Sequence, residues 1–329
     1  MVSTRNEDRV VVLSAPGTDV VASALRRLPG AQVVEVRSEA EVLDRLEETA
    51  VLVSMNTAYS ARIAEALRRA ASVQLIQLLT AGYDQLQRFG VPAHVRVATA
   101  GPSRSPAVAE HAMALLLSWT RALPQARVAQ ERRHWDIDIR PRLDSLLEST
   151  LLIVGFGSIG QELAVRARAF GAGVEGVNRT GRPHPLADRM HTPEQLLQAL
   201  GSADFVVLAL PSTAQSRGLF STAQFAAMKP STVFVNVARG DVVDTAALIE
   251  ALDNGRIRAA ALDVFDEEPL PADSTLWGMD NVVITPHVGG ISGQVGHRIL
   301  ARFVADNVGR VLSGEAPEYW VASENFQPR

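Results

Sequence analysis

Three polar side chains stand at the ends of apolar runs in this chain. Arg239 closes VFVNVARG (233–240), Glu268 lies in the acidic end of AAALDVFDEEPLP (259–271), and His287 follows the strand-like part of NVVITPHVGG (281–290). Short apolar runs bounded by turn residues read as strands buried on both faces of a parallel sheet. In open sheets of that kind, ligands bind beyond the carboxyl ends of the strands. An arginine, a carboxylate and an imidazole placed there can handle a 2-oxo acid. The guanidinium grips the carboxylate and keto oxygen by charge-assisted hydrogen bonds. A carboxylate beside the imidazole favours the imidazolium and fixes the ring. The imidazolium gives its proton to the developing alkoxide as a hydride arrives at carbon. Two blander readings stay open: His287 as a capping residue, and Glu268 as a solvated turn acid beside Asp266 and Glu267.

A source of hydride is suggested by LLIVGFGSIG (151–160), an apolar run leading into Gly155, Gly157 and Gly160. The run suits a buried strand, and QELAVRARAF after it has helical spacing. In this context G-x-G-x-x-G is a dinucleotide fingerprint. Gly155 permits the tight turn, Gly157 lets a pyrophosphate reach the backbone, and Gly160 lets helix and strand pack closely. Free N–H groups at the helix start, with the positive end of its dipole, hold phosphate. GAGVEGVN (171–178) supplies the next strand and closes a βαβ unit of about thirty residues.

The remaining six histidines point nowhere so clearly. His184 and His191 sit in a proline-rich connection and read as surface loop. His111 lies in an apolar helix and reads as a packed, hydrogen-bonded residue. His94, His134 and His297 have no evident partner. With no cysteine among 329 residues, disulfides, thiolate–metal sites and cysteine nucleophiles are excluded. No metal site is expected.

The composition, 47% hydrophobic and 21% charged, is that of a globular chain long enough for two domains. No stretch reaches the ~20 apolar residues of a membrane span. MVSTRNEDRVVVLS lacks the layout of a secretory signal and reads as a short polar tail running into a strand. The net charge is −4, and paired arginines such as Arg26–Arg27 and Arg68–Arg69 lie among acids. These are solvated faces rather than a nucleic-acid stripe. A cytoplasmic protein without nucleic-acid or membrane partners is expected.

Strands and helices alternate over 9–100, which implies a parallel sheet covered on both faces. Strands are expected at 9–14, 31–37, 50–54, 75–80 and 95–100, with helices at 20–28, 39–48 and 60–70. GPSRSP (101–106) interrupts the pattern. One long helix is expected from Ala107 to Val128, buried over AMALLLSW. Residues 131–149 read as an arm outside the core. A second αβ series runs from 150 to about 290, and 294–312 is an amphipathic helix suited to packing back on the first domain.

Taken together, the chain resembles the D-isomer-specific 2-hydroxyacid dehydrogenases. The motifs are VAEH (108–111), VGFGSIG (154–160), LALPSTAQSRGLF (208–220), MKPSTVFVNVARGDVVDTAAL (228–248), AAALDVFDEEPLP and NVVITPHVGG. They cover roughly 75–291, while residues 1–70 match only in strand–helix rhythm. The resemblance implies an α/β protein with two Rossmann-like, doubly wound parallel-sheet domains and an active site in the interdomain cleft. The substrate-binding domain would comprise 1–100 and 292–329, and the dinucleotide-binding domain 101–291. A homodimer through the cofactor domain, with an arm near 120–145, is also implied. So are catalytic roles for Arg239, Glu268 and His287. Backbone amides of Ala81 and Gly82 would hold the substrate carboxylate beside Arg239. Ser158 and Ile159 would touch the pyrophosphate, and Pro211, Ala238 and Asp263 would line the nicotinamide side.

One departure bears on the cofactor. Relatives that prefer NAD usually carry aspartate at the end of the second strand, for the ribose hydroxyls. Here Asn178 stands there, followed by Arg179, Thr180 and shortly Arg182. An aspartate repels a 2′-phosphate; an arginine with a neutral neighbour attracts it. NADP(H) is therefore expected as the preferred cofactor, with NAD(H) also accommodated. Glu175 is the competing acid by spacing alone, although motif alignment puts it inside the strand. Arg179 as a solvated loop residue is the plain alternative. The expected reaction is reduction of a small 2-oxo acid (glyoxylate, hydroxypyruvate or an aryl pyruvate) to the D-2-hydroxy acid. A nucleotide-sensing, corepressor-like protein on the same scaffold and a phosphite- or formate-type anion dehydrogenase are the rivals. Pocket walls are expected from Met55, Asn56, Tyr83 and either Trp135 or Trp277. The choice of acid, the physiological direction and the strength of the cofactor preference are not legible.

Overall fold

A computed structural model of the chain describes residues 9–326. The expected polar tail at 1–8 lies outside the described residues. The chain divides into two compact units, Met1–Arg104 with Ser292–Arg329, and Ser105–Ile291.

The first unit begins with β1 (Arg9–Leu13), α1 (Thr18–Leu25), β2 (Gln32–Val36), α2 (Glu39–Leu43), β3 (Val51–Ser54), α3 (Ala61–Leu67), β4 (Leu75–Leu78), α4 (Asp84–Phe89) and β5 (Arg96–Ala98). The second unit holds α5 (Ser105–Thr120), α6 (Leu123–Glu131), β6 (Thr150–Val154), α7 (Ser158–Ala169), β7 (Gly173–Val177), β8 (Arg189–His191) and α8 (Leu196–Ser202). It continues through β9 (Phe205–Leu208), α9 (Thr222–Ala227), β10 (Val233–Asn236), α10 (Thr245–Asp253), β11 (Ala259–Leu262) and β12 (Val282–Ile284). The chain then returns to the first unit as α11 (Gly293–Leu312) and β13 (Trp320–Val321).

Both sheets are doubly wound. The second unit's order is β12-β11-β10-β9-β6-β7-β8, with every pair parallel. Its strand order reverses at β6, the place where such sheets open to a ligand. The unbroken apolar run of β6 has a direct cause. Leu152 and Val154 enter one apolar cluster, while Leu151 and Ile153 enter another. Because successive side chains point to opposite faces, a strand covered twice has no polar position to spare.

The first unit's order is β13-β5-β4-β3-β1-β2, parallel except for β13, which runs against β5. Here Val11 and Leu13 face one cluster and Val10 and Val12 the other. Helix α11 lays Leu300, Val304, Val308 and Val311 into the second of these, beside Val21 and Leu25 of α1. The C-terminal helix thus packs on the first unit, as its amphipathic spacing suggests.

Three expectations need correction. The single helix over 107–128 is two helices, because Ala122 is left-handed (φ 48°) and Pro124 sits in the first turn of α6. The helix over 39–48 stops at Leu43, and Leu46–Glu48 forms a separate 3₁₀ turn. The proline-rich connection around His191 contains a strand, β8, that its three residues were too few to reveal.

A buried polar knot ties the returning segment to the first sheet. Gln77 of β4 and Asn307 of α11 are 0% and 2% exposed. Asn307 Nδ2 donates to Gln77 Oε1 at 2.9 Å, and Gln77 Nε2 donates to the carbonyls of Leu78 and Thr99. Asn307 also exchanges hydrogen bonds with the backbone of Glu318. Removing one partner strands the others in a dry core. Asn307→Leu is expected to lower unfolding free energy by about 1–3 kcal/mol in a denaturant titration; an unchanged midpoint would mean the knot contributes nothing.

Candidate active site

The glycine turn shows three different constraints. Gly155 has φ 99°, and a Cβ there would lie 2.5 Å from the carbonyl oxygen of Ala209. At Gly160 a Cβ would lie 2.4 Å from the oxygen of Gly155 and 3.2 Å from Ile153 Cγ2, so α7 could not pack against β6. Gly157 is different: a Cβ there would meet no protein atom within 4 Å. Two of the glycines answer to the fold, and the third leaves open space above the helix start. Ser158 and Ile159 follow as the first residues of α7, with Ser158 Oγ accepting from Ser105 Oγ at 2.9 Å. This arrangement fits a bound pyrophosphate.

Three parallel neighbours, β10, β11 and β12, deliver the polar set. Arg239 lies three residues beyond β10, half-buried, with Nη1 donating to the oxygen of Ala238 at 2.7 Å. Asn236 shapes this turn, taking the Ala238 amide on Oδ1 and donating Nδ2 to the Arg239 carbonyl. Glu268 follows β11, where its Oε1 accepts from the amide of Phe265 at 3.0 Å. His287 follows β12 in the left-handed region (φ 53°), and its Nδ1 donates to Glu268 Oε2 at 2.7 Å. Glu268 is still exposed to solvent, but its carboxylate is engaged by His287 and by the Phe265 amide.

The electrostatics follow. The Glu268 hydrogen bond raises the His287 pKa above its ordinary value; burial works against this, Glu268's charge adds to it, Arg239 opposes it, and Asp263 adds a little. Burial pushes the Glu268 carboxyl up, but the hydrogen bonds from His287 and the Phe265 amide, with the charges of His287 and Arg239, bring it below its ordinary value. The pair is thus most strongly charged between these limits. Its contribution to stability is lost as pH rises through the raised His287 pKa, and again as pH falls through the lowered Glu268 pKa.

Asp263 holds this loop from beneath. Its side chain is 4% exposed. Oδ1 accepts from Thr285 Oγ1 at 2.6 Å and from the Val288 amide at 3.0 Å, and Oδ2 from the Gly289 amide at 2.9 Å. Its backbone oxygen takes the His287 amide at 2.8 Å. His111 Nε2 completes the knot, 3.0 Å from Thr285 Oγ1 and 3.2 Å from Asp263 Oδ1. Burial raises the Asp263 pKa, yet these donors outweigh it and keep the carboxyl below its usual range. The reading of His111 as hydrogen-bonded is correct in kind, but its partners, Asp263 and Thr285, were not foreseen. The signal was there: VAEH, LDVF and ITPH all belong to the quoted motifs.

At the far end of the sheet, Glu175 lies within β7 and its carboxylate is taken by His191, Nε2 to Oε2 at 2.6 Å. Asn178 is the first residue after the strand, with Oδ1 accepting from the Thr180 amide and hydroxyl and the Gly181 amide. Arg179 is exposed, and among the described residues no acid pairs with it or with Arg182. His191 is 5% exposed, so its reading as a surface residue is wrong; a short edge strand draws it inward. Pro211 is exposed after β9, and its oxygen accepts from Ser216 Oγ at 2.7 Å. Ala238 is buried. Ala81 and Gly82 belong to the other unit, in a turn where Thr80 Oγ1 donates to the Gly82 oxygen at 2.8 Å. Among the described residues no helix is long and apolar enough to cross a membrane.

Comparison with known proteins places the fold. Residues 113–289 match the model of the D-isomer specific 2-hydroxyacid dehydrogenase NAD binding domain. The glyoxylate/hydroxypyruvate reductase B of Salmonella schwarzengrund is 37% identical over 76% of this chain and 78% of that protein. The D-3-phosphoglycerate dehydrogenase of Methanocaldococcus jannaschii is 33% identical over 98% of this chain, which spans 58% of its length. A D-isomer specific 2-hydroxyacid dehydrogenase from Xanthobacter autotrophicus Py2, solved with NADPH and MES, superposes with a TM-score of 0.83 at 29% identity, covering 98% of this chain and 100% of that one. The chain belongs to the D-isomer-specific 2-hydroxyacid dehydrogenase family.

The open space at Gly157 is testable. Gly157→Val is expected to melt like the wild type, within about 0.5 kcal/mol as for other changes that touch no neighbour. Titration of the same variant with NADH or NADPH should show binding reduced by more than an order of magnitude. Loss of stability with binding retained would contradict the assignment.

Proposed function

We propose that this chain is an NADPH-preferring reductase of small 2-oxo acids, with glyoxylate or hydroxypyruvate as first candidates and aryl pyruvates next, giving D-2-hydroxy acids. The observation that carries the reading is the His287–Glu268 hydrogen bond at the ends of β12 and β11. In it, the unit Ser105–Ile291 is the dinucleotide-binding domain and the discontinuous unit binds substrate. Bound nicotinamide supplies the hydride. Arg239 orients the substrate carboxylate and keto oxygen by charge-assisted donors. Glu268 holds the imidazole through Nδ1, which leaves the Nε2 proton as the one to be donated. The raised His287 pKa favours the protonated ring. Ala81 and Gly82 contribute amides for the carboxylate.

Support for the phosphorylated cofactor comes from Asn178 in place of an acid and from Arg179 and Arg182 without acidic partners among the described residues. One similar structure holds NADPH, which points the same way, and one similar protein is called a glyoxylate/hydroxypyruvate reductase, which bears on the substrate. Exposed Leu123, Val128, Trp135 and Ile137 in the segment after α5 support a homodimer through that arm.

Assays with a panel of 2-oxo acids and both cofactors test this reading. Glyoxylate or hydroxypyruvate is expected to oxidise NADPH faster than NADH. His287→Ala should lower turnover by roughly 10²–10⁴-fold while the cofactor still binds. Wild-type turnover in that variant would remove His287 from the chemistry, and no turnover with any 2-oxo acid would remove the function.

A further inference from the structure

The turn Asn178–Gly181, which carries Arg179, is built on residues far from it in sequence. The Asn178 amide donates to the oxygen of His191 at 3.1 Å. Gly181 has φ 62°, and a Cβ there would lie 2.8 Å from Thr192 Cγ2. So the turn rests on His191 and Thr192 at the end of β8. That support is itself slight. β8 is an edge strand of three residues, joined to β7 in the register Val177↔His191. Strands this short hold poorly on backbone pairing alone. The added fastening is the His191–Glu175 hydrogen bond of 2.6 Å, between side chains 6% and 16% exposed. A polar pair in so dry a place costs solvation that packing by two aliphatic residues would not. Stability alone gives little reason for it; registration of the strand end does.

We propose that His191 and Glu175 are positioning residues for cofactor selection: their bond sets β8 against β7, β8 shapes the Asn178–Gly181 turn, and the turn places Arg179 for the 2′-phosphate. The inference rests on the reading of Arg179 as the phosphate ligand. Neither His191 nor Glu175 touches the cofactor in this scheme. A loosened β8 leaves the pyrophosphate and nicotinamide contacts intact and spoils only the recognition that separates NADPH from NADH.

The test is fluorescence titration of the full-length protein with NADPH and with NADH. Glu175→Ala and His191→Leu are each expected to weaken NADPH about ten-fold, the scale of one lost charge-assisted hydrogen bond, and NADH less than about two-fold. Glu175→Gln keeps an acceptor for His191 and should retain the wild-type ratio of the two affinities. Arg179→Ala should show the same selective loss, and combining it with Glu175→Ala should add nothing further. A cycle in which Arg179→Ala is selective while Glu175→Ala weakens both cofactors equally, or neither, would overturn the positioning role alone. An unselective Arg179→Ala would overturn the phosphate reading and this inference with it. If His191→Leu does not fold, the Glu175→Ala and Glu175→Gln pair still decides the matter.

Discussion

A carboxylate and an imidazole held 2.7 Å apart at the ends of adjacent parallel strands are the constraint to which the second unit is fitted. The two residues are nineteen positions apart in the chain. Only the parallel register of β11 with β12 brings their strand ends together. That register demands apolar side chains on both faces, so the sheet is dry up to the point where the polar groups begin. The bond between Glu268 and His287 forms at the open edge of that dry sheet, where both side chains still reach solvent, and it moves both pKa values toward the charged forms.

Holding the imidazole requires more than its partner. His287 sits at positive φ, a conformation that costs free energy unless the surroundings impose it. Asp263 does this with a single buried carboxylate that gathers the Thr285 hydroxyl and the Val288 and Gly289 amides around it. The His111 ring closes the same knot from α5. A helix that reads in sequence as plain core thus reaches the loop that carries His287. Asp263 was expected to line the nicotinamide side; its observed bonds make it a support for the histidine loop, and the two roles are compatible.

Much of this was legible because the signals are local. Continuous apolar strands, a glycine turn between strand and helix, and polar residues at three strand ends each announce themselves within about ten residues. The paired sheets and their parallel order followed from alternation alone. What stayed hidden depends on distant partners or short elements. The break at Ala122 needed φ > 0 at a residue with no glycine signature. β8 is three residues long and carries no alternation to read. His191 could not be placed without it, and Glu175 looked available for a ribose until the strand register gave it to His191. The Gln77–Asn307 bond links positions 230 apart, beyond any local pattern.

The proton-donor assignment is tested most directly by the pH dependence of NADPH-driven 2-oxo acid reduction, compared between wild type and Glu268→Gln. In the wild type the rate should stay high above pH 6.5, the ordinary histidine value, and fall only as pH rises through the raised His287 pKa. With glutamine at 268 the favourable charge is gone, and the falling limb should move to lower pH. A limb that stays in place would mean that another group supplies the proton and that the pairing of Glu268 with His287 has no part in the chemistry.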